Sequence, residues 1–435
     1  MSLLARGAAC GLLFCFALSI AANGGTATGD SSGDTFCENY LLGDWLGARP
    51  FLAQRGIQVQ VLLITDPFGN VIGGKTRGFT DYSLVCADLT ADTEKLLGWG
   101  GGEFHIGFAA NAGNSLSADD VGNTFPIQLA DVAPVGPRLT YLSYTQTLFD
   151  KKLSIRVGRL AINSVYDEEF AASEYFKAFS SVAFNLVPMG IFLNAPGAFG
   201  YPLTTWGARI KYQPVESFYL MAGCYNGDPS VKNANRYGLD FTFHGPPLVI
   251  AEAGFRLNQG NDAAGLPGNI KIGAYFNGGS TAEFGSAATH YGRLGFYALG
   301  DQALVRWGSR ADNRRLGVFG AFVCAPDQRV NSMPFFFDAG FVAYGPLEIR
   351  PKDFIALGTA YGAFSNDLRG AESVAQKSDP TLEVQNYEMT IELSYGCQVR
   401  PWLLVQPALQ YIVQPGGTPS VPNALVIGAN IVVNF

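Results

Sequence analysis

The C-terminal end of the chain alternates between two kinds of side chain. From Leu425 to Phe435 every odd position is apolar, whereas the even positions carry valine, glycine or asparagine. A period of two is typical of a β-strand, in which successive side chains point to opposite faces. This segment therefore needs an apolar medium on one face and a more polar medium on the other.

The same period recurs along most of the chain. Residues 387–396 place apolar side chains on one face and Glu388 and Glu392 on the other, and after a turn at Pro401 the pattern continues to Tyr411. Two such runs joined by a short turn indicate a β-hairpin. Further segments with this period are residues 152–158, 206–213, 249–258, 270–277 and 293–298. The pattern predicts an all-β protein.

Alternation alone suits either a soluble β-sandwich or a transmembrane β-barrel. Composition favours the barrel, because charged residues make up 15% of this chain, whereas soluble proteins carry about 25%. The polar faces are mostly glycine, serine and asparagine, and aromatic residues cluster at 174–176 and 333–337, which is typical of interfacial girdles. We therefore predict a transmembrane antiparallel β-barrel over residues 57–435. Spans of about 10 residues allow sixteen strands.

Other classes of protein fit the sequence less well. Beyond the first 25 residues no apolar run reaches the ~18 residues that a membrane-spanning helix needs, so a helical membrane protein is excluded. The 29 basic and 36 acidic residues give a net charge of −7 without a basic stripe, which argues against a nucleic-acid partner. The hydrophobic content of 48% excludes a disordered chain.

The first residues, 1–21, have the features of a secretory signal peptide. Arg6 precedes an apolar run from Ala8 to Ile20, and Ser19 and Ala21 are small residues at the expected cleavage site. Together with a barrel, this leader predicts export to the outer membrane of a Gram-negative-type bacterium.

Five cysteines remain after the predicted cleavage, at Cys37, Cys86, Cys224, Cys324 and Cys397. Their wide spacing and the lack of a C-x-x-C pair argue against a zinc site and against a dense disulfide framework. Cys224, Cys324 and Cys397 fall on the apolar faces of their strands, as small hydrophobic residues would. Oxidation of one or two pairs stays open in an exported chain.

The N-terminal segment, residues 22–56, departs from the alternation. Trp45 and Leu52 recur at helical spacing, Asp44 is placed as an N-cap, and Gly56 is placed to end a helix. The sequence therefore predicts a short helix before the barrel.

The first strand of the barrel is predicted at Ile57–Leu63. Because the preceding helix is too short to cross a bilayer, we expect it to lie in the mouth of the barrel. Asp44 and Arg49 are the candidate residues that tether it there. The alternative is that these two side chains line the path of a solute.

A set of motifs spreads over nearly the whole chain after the leader, at residues 42–49, 54–56, 68–74, 92–99, 156–159, 192–194, 199–202, 225–227, 337–340, 401–402, 414–417 and 422–425. Together these motifs resemble those of the OprB-type carbohydrate-selective porins. Phe435, which closes an amphipathic strand, also resembles the terminal signal of bacterial outer-membrane barrels. The resemblance implies a sixteen-stranded barrel that passes monosaccharides and other small solutes through a lumen narrowed by polar and charged residues. It also implies that the N-terminal helix lies in the periplasmic mouth.

Charged residues on the polar faces are the candidates for contact with a permeating sugar. Amides, carboxylates and guanidinium groups are suitable partners for sugar hydroxyls. The candidate pore-lining residues are Arg156, Arg209, Lys211, Glu252, Arg256, Arg293, Glu388 and Glu392. For each of them the alternative is an interior ion pair that stiffens the wall without touching the solute.

Three further residues are less clearly assigned. Arg159 lies on the opposite face from Arg156, so it faces the lumen only where a bulge or the end of the strand intervenes. Asp338 lies either in the lumen or in a loop. His105 shares the polar face of its strand, and we interpret it as a lumen or packing residue.

The predicted function is passive diffusion of small neutral sugars, without a cofactor, a metal or energy coupling. The expected partners are the sugars and outer-membrane lipid, and a homo-oligomer is compatible with the sequence. One alternative is a general or anion-preferring small-solute porin. An outer-membrane hydrolase is another, but it would need a nucleophile with a neighbouring base, and the three histidines are scattered. A structural or adhesive barrel would be favoured if loops filled the lumen.

Overall fold

The computed structural model describes residues 38–131, 136–162, 170–184, 187–195, 200–228, 236–259, 265–308 and 313–435. The predicted signal peptide and Cys37 lie outside these residues. The strands are β1 (Ile57–Thr65), β2 (Phe68–Ile72), β3 (Gly78–Thr80), β4 (Tyr82–Asp92), β5 (Gly102–Gly113), β6 (Arg138–Leu148), β7 (Leu153–Leu160), β8 (Thr205–Val215), β9 (Phe218–Asn226), β10 (Pro247–Leu257), β11 (Gly268–Ala282), β12 (Thr289–Arg306), β13 (Arg315–Cys324), β14 (Phe335–Tyr344), β15 (Phe354–Ala363), β16 (Tyr387–Arg400), β17 (Leu403–Val413) and β18 (Ala424–Asn434). They form one antiparallel sheet.

The sheet closes on itself, because β1 pairs with β4 on one side and with β18 on the other. Strands β2 and β3 continue β1 and β4 beyond short breaks at Asp66-Pro67 and Asp81, and β2 pairs with the remaining part of β18. Eighteen strands with two such continuations give sixteen spans. The prediction of a sixteen-stranded barrel is confirmed.

The alternation in the sequence separates the outer face of the barrel from the inner face. Outward-facing Leu393 and Ile427 are 47% and 50% exposed, whereas the inward-facing Glu392 and Asn430 are 0% and 3% exposed. The exposed apolar side chains of the outer face form the surface that is available to an apolar medium. The strand parity that the sequence predicted is the parity of the barrel.

The cysteines follow the same division of faces. Cys224, Cys324 and Cys397 lie on the outer face, as the alternation of their strands predicted. Cys86 points inward from β4 and is fully buried. None of the four forms a disulfide in the part of the chain that the structure describes.

Short α-helices accompany the strands in the described part of the chain. They are α1 (Ala48–Gln54), α2 (Thr93–Leu97), α3 (Met189–Asn194) and α4 (Asn366–Ser378). None of the helices in the described part of the chain is long and apolar enough to cross a bilayer.

The start of α1 differs from the prediction. The helix begins after Gly47, whose φ of 87° places it in the left-handed region, and no side chain caps it. Trp45 and Leu46 also have positive φ angles, so the chain turns sharply between Asp44 and Ala48 rather than continuing as a helix. The predicted N-cap at Asp44 is therefore wrong.

Helix α1 and the C-terminus lie at the same end of the barrel. Nη2 of Arg49 donates to the carbonyl oxygen of Phe435 at 2.8 Å, and its guanidinium stacks over the rings of Tyr40 and Trp45. The connections at this end are mostly short, for example residues 149–152 and 401–402, and we call it the short-turn end. The opposite end, which carries the longer connections, is the long-loop end. In bacterial barrels short turns face the periplasm.

Of the two predicted aromatic clusters, residues 333–337 place Phe335 and Phe337 on the outer face but Phe336 inside, and residues 174–176 lie inside. Phe337, Tyr361 and Tyr387 stack side by side on the outer face, with ring centroids 5.6 and 5.3 Å apart, which suits an interfacial girdle. Tyr175 and Phe176 are instead buried inside the barrel. The prediction that residues 174–176 belong to a girdle is wrong, because the connection between β7 and β8 folds into the lumen.

Candidate permeation pathway

The inner face of β9–β17 is covered by chain that folds in from the long-loop end. Residues 170–184, which we call the inner segment, bury Phe170, Phe176, Phe179 and Phe184 against this face, which we call the covered wall. Phe176 and Phe179 both lie edge-on to Phe319 of β13, with ring centroids 5.5 Å apart in each case. The covered wall is therefore dry, although its strands alternate as predicted for a barrel with a polar lumen.

Glu252 of β10 holds the beginning of the inner segment. Its carboxylate accepts a hydrogen bond from the backbone N–H of Ala171 at 2.7 Å. The hydroxyls of Tyr219 and Tyr297 donate to the same carboxylate at 2.6 and 2.9 Å. These three hydrogen bonds compensate the Glu252 carboxylate for the loss of contact with water inside the barrel.

Glu392 of β16 holds the end of the inner segment. The backbone N–H groups of Ser180 and Ser181 donate to its two carboxylate oxygens at 2.7 and 2.9 Å. Glu388 acts in the same way on the connection between β5 and β6, where it accepts from the N–H groups of Thr124 and Phe125 at 2.7 and 2.8 Å. The geometry favours an anchoring role for Glu252, Glu388 and Glu392, whose partners are backbone N–H groups and hydroxyls rather than the ion pairs that were the alternative to solute contact.

Other wall residues, which the sequence analysis did not single out, also anchor the inner segment. Nζ of Lys271 donates to the carbonyl of Ala172 at 2.6 Å, and Arg315 forms an ion pair with Glu174. The hydroxyl of Ser173 donates to Asp301 at 2.8 Å. Their inward parity was readable from the sequence, but nothing in the alternation indicated which segment would meet them.

The connection between β5 and β6 covers the long-loop half of the opposite wall. Leu116, Val121 and Ile127 pack against Phe68 and Val426 in a separate apolar cluster. The connection therefore occupies part of the lumen in the long-loop half of the barrel.

A polar part of the inner face stays accessible in the short-turn halves of β1 and β4–β8. We call these residues the polar wall, and all of them are exposed or half-buried: Gln58, Gln60, Thr90, Glu103, Thr145, Ser154, Arg209 and Lys211. Nη2 of Arg209 donates to the hydroxyl of Ser154 at 3.3 Å. Nζ of Lys211 lies 4.6 Å from the ring centroid of Tyr219. Two of the predicted pore-lining residues thus lie on this wall.

Next to the polar wall is a buried chain of three ionisable side chains. Nε2 of His105 lies 2.7 Å from the carboxylate of Asp88, and Nδ1 lies 2.9 Å from Nη2 of Arg156. Arginine can only donate and a carboxylate can only accept, so the neutral tautomer with hydrogen on Nε2 satisfies both bonds. Arg156 is 5% exposed, so it reaches a solute less readily than Arg209.

The remaining candidate residues lie apart from this region. Arg256 is half-buried near the short-turn end, and Arg293 bonds to the hydroxyl of Thr281 near the long-loop end. Asp338 points inward from β14 and is buried beneath the inner segment.

Arg159 lies where the regular alternation is interrupted. Gly158 has a φ of 133°, and the guanidinium of Arg159 donates to the carbonyls of Leu139 and Thr204 at 3.1 and 2.7 Å. The side chain is therefore held by backbone and is 1% exposed.

Within the residues that the structure describes, there is no group of three or more histidine, cysteine or acidic side chains that could hold a metal ion. The interior offers amides, hydroxyls and cations, which suit transient contact with hydroxylated solutes rather than covalent chemistry.

Comparison with known families gives a match over most of the chain. Residues 85–435 match the family described as carbohydrate-selective porin, OprB family. The chain is 28% identical to Porin B of Pseudomonas aeruginosa, over 91% of this chain and 91% of that protein. It is 24% identical to a putative porin, QuiX, of Acinetobacter baylyi, over 91% of this chain and 93% of that protein.

A solved structure has the same architecture. The structure of OprB from Pseudomonas putida at high pH superposes with a TM-score of 0.84 at 25% sequence identity. The superposition covers 92% of this chain and 99% of that one, so it extends over the barrel and the connections that fold into it.

Proposed function

The chain belongs to the OprB family of carbohydrate-selective porins, and we propose that sugars cross its barrel along the polar wall, opposite the inner segment. The protein is an outer-membrane channel through which sugars diffuse passively, and not an enzyme. The observation that carries the proposed route is the difference in accessibility between the two walls. The covered wall is sealed by aromatic packing, whereas the polar wall presents exposed and half-buried hydrogen-bonding groups.

The chemistry of the polar wall suits a neutral sugar. Gln58, Thr145 and Ser154 supply amide and hydroxyl groups that can donate and accept, and Arg209 and Lys211 supply cationic donors. A permeating sugar exchanges bonds with water for bonds with these groups. Conduction requires that each such contact be weak enough to break again, and many exposed groups of moderate strength meet that requirement better than one deep site.

Size selection comes from the inner segment. Because its aromatic side chains and its backbone are fixed to the covered wall, it narrows the lumen without being free to move aside. We therefore expect monosaccharides to permeate faster than disaccharides. Loops fill part of the lumen, which was the condition that would favour a structural barrel, but the family match supports a channel.

The family and the barrel place the chain in the bacterial outer membrane. We further propose that residues 1–21 are cleaved on export, that the apolar outer face contacts lipid, and that copies of the chain can associate through that face.

The function is tested by reconstituting the full-length protein in liposomes and measuring swelling in isosmotic solutions of glucose, a disaccharide and a neutral amino acid. We expect swelling in glucose to be fastest. Equal rates for glucose and an amino acid of the same size would contradict sugar selectivity and favour a general small-solute porin. A lack of permeation by all three solutes would contradict channel function.

A further inference from the structure

One residue of the inner segment is exposed, whereas all the others are buried or half-buried. Of the residues from Phe170 to Phe184, fourteen are buried or half-buried and Lys177 alone is exposed. We propose that Lys177 is a specificity-determining residue of the passage, and that the channel takes sugar acids as a second class of substrate, with the ammonium of Lys177 recognising their carboxylate. This inference rests on the proposed route along the polar wall.

The position of Lys177 within the barrel follows from the anchors on either side. Ser173 bonds to Asp301, five residues before the end of β12, and the carbonyl of Ala178 accepts from Nε2 of Gln406 at 2.9 Å, three residues after the start of β17. Both wall residues lie in the short-turn half of the barrel. Since the rest of the segment faces the covered wall, the exposed Lys177 side chain faces the lumen.

The backbone that carries Lys177 is held firmly. It belongs to a 3-10 helix, Glu174–Ala178, which Ser173 caps by accepting from the N–H of Tyr175 at 3.3 Å. Phe176, the residue before Lys177, packs edge-on to Phe319. A lysine side chain then places a compact charge on a flexible stem from a fixed origin.

The charge of Lys177 is not neutralised by the neighbouring segment. In the described part of the chain Lys177 has no ion-pair or hydrogen-bond partner, and Glu174, three residues before it, is engaged by Arg315. Among the other carboxylates that face the segment, Glu252 and Glu392 accept bonds from its backbone and Asp301 accepts one from the hydroxyl of Ser173, whereas Asp338 is buried in the wall beneath it. A cation is therefore displayed to the solute while the nearby acidic groups are occupied.

Sugar acids such as aldonates and uronates match this arrangement of groups. Their hydroxyls can bond to the polar wall as those of a neutral sugar do, and their carboxylate adds an attraction to the ammonium group. A charge in a narrow lumen with walls of low dielectric acts over a longer range than it does in bulk water. Because Lys177 adds one exposed charge to the cationic donors Arg209 and Lys211 of the polar wall, it should assist passage without trapping the solute.

The test compares gluconate with glucose in the reconstituted full-length protein. Isotopic flux of both solutes and the reversal potential under a potassium gluconate gradient are measured for the wild type, Lys177→Gln, Lys177→Glu and Lys177→Arg. Lys377→Gln, on the exposed helix α4 outside the lumen, is the matched control. For Lys177→Gln we expect gluconate flux to fall about 3- to 10-fold at low salt, with glucose flux little changed. Lys177→Glu should lower gluconate flux further, and Lys177→Arg should retain the gluconate flux of the wild type.

The outcomes separate this inference from the proposed function. If the wild type passes glucose but not gluconate, or if Lys177→Gln and Lys177→Glu leave the gluconate-to-glucose ratio unchanged, the role of Lys177 is contradicted while sugar permeation stands. Equal loss of both fluxes in Lys177→Gln would also contradict it, because that result indicates a change in pore size. If the wild type passes neither solute, the proposed function itself fails.

Discussion

The covered wall and the polar wall are built from the same pattern and differ in what lies in front of them. Glu392 and Arg209 both point inward from strands with alternating faces. Glu392 is fully buried and accepts from two backbone N–H groups of the inner segment. Arg209 is half-buried and donates to the hydroxyl of Ser154 on the neighbouring strand β7. The parity of a strand therefore tells which way a side chain points, and the connecting segments decide whether a solute can reach it.

The two walls should respond differently to substitution. On the covered wall a lost side chain leaves a cavity or an unsatisfied buried group, and both lower the free energy of unfolding. On the polar wall water replaces the lost group, so stability is retained and permeation changes. The four substitutions below proceed from the covered wall to the polar wall, in order of decreasing expected loss of stability.

The largest effect is expected for Phe179→Ala in the inner segment. The ring of Phe179 is 1% exposed and stacks on Phe184 with centroids 4.5 Å apart, so its removal leaves a cavity that the fixed backbone cannot fill. We expect a loss of about 3–5 kcal/mol in the free energy of unfolding, measured by urea titration in lipid vesicles. Phe79→Ala, at a side chain that is 71% exposed, is the control. An equal loss in the two variants would contradict tight packing of the inner segment.

This dependence on long-range packing is what the sequence could not reveal. The strands, their faces and the sixteen spans follow from alternation, because one face of each strand must meet an apolar medium. Residues 174–176 were predicted to form an interfacial girdle because aromatic residues are common both at membrane interfaces and in buried cores, and the sequence alone does not distinguish the two. The turn before α1 was missed because Trp45 and Leu46 adopt positive φ angles that such residues rarely adopt.

The candidate site was predicted only in part, because it also depends on long-range packing. The sequence placed Arg209 and Glu392 on inner faces, but it could not distinguish a residue that meets solute from one that anchors a loop. Lys177 was missed because the inner segment has no period of two. Its significance depends on the burial of every residue around it.

A smaller loss is expected for Glu392→Gln. The amide retains one acceptor oxygen but presents an N–H₂ group to the backbone donors of Ser180 and Ser181. We expect a loss of about 2–3 kcal/mol in the free energy of unfolding, because a buried donor loses its charged partner. Single-channel conductance should rise in the same variant as the inner segment loosens. Glu348→Gln, in an exposed turn, is the control, and unchanged stability in both variants would remove the anchoring role of Glu392.

His105→Phe tests the boundary between the two walls. The substitution keeps a ring that can stack on Tyr141, whose centroid lies 4.2 Å away, and it removes the hydrogen bonds to Asp88 and Arg156. We expect a loss of about 1–2 kcal/mol, because two buried charged groups each lose one partner but can move toward each other. Urea titration measures it. A loss as large as that of Phe179→Ala would mean that the region next to the polar wall behaves like the covered wall.

Arg209→Ala should leave stability almost unchanged and alter permeation. Its half-buried guanidinium makes a 3.3 Å bond to the hydroxyl of Ser154, a partner that water can replace, so the free energy of unfolding should change by no more than about 0.5 kcal/mol. If sugars cross along this wall, loss of a cationic donor should change glucose flux about two- to five-fold, the rate equivalent of up to ~1 kcal/mol. Arg400→Ala, at the exposed end of β16, should change neither quantity. Lost stability with unaltered flux would assign Arg209 to the bracing of the wall, and the two walls would then differ in burial but not in function.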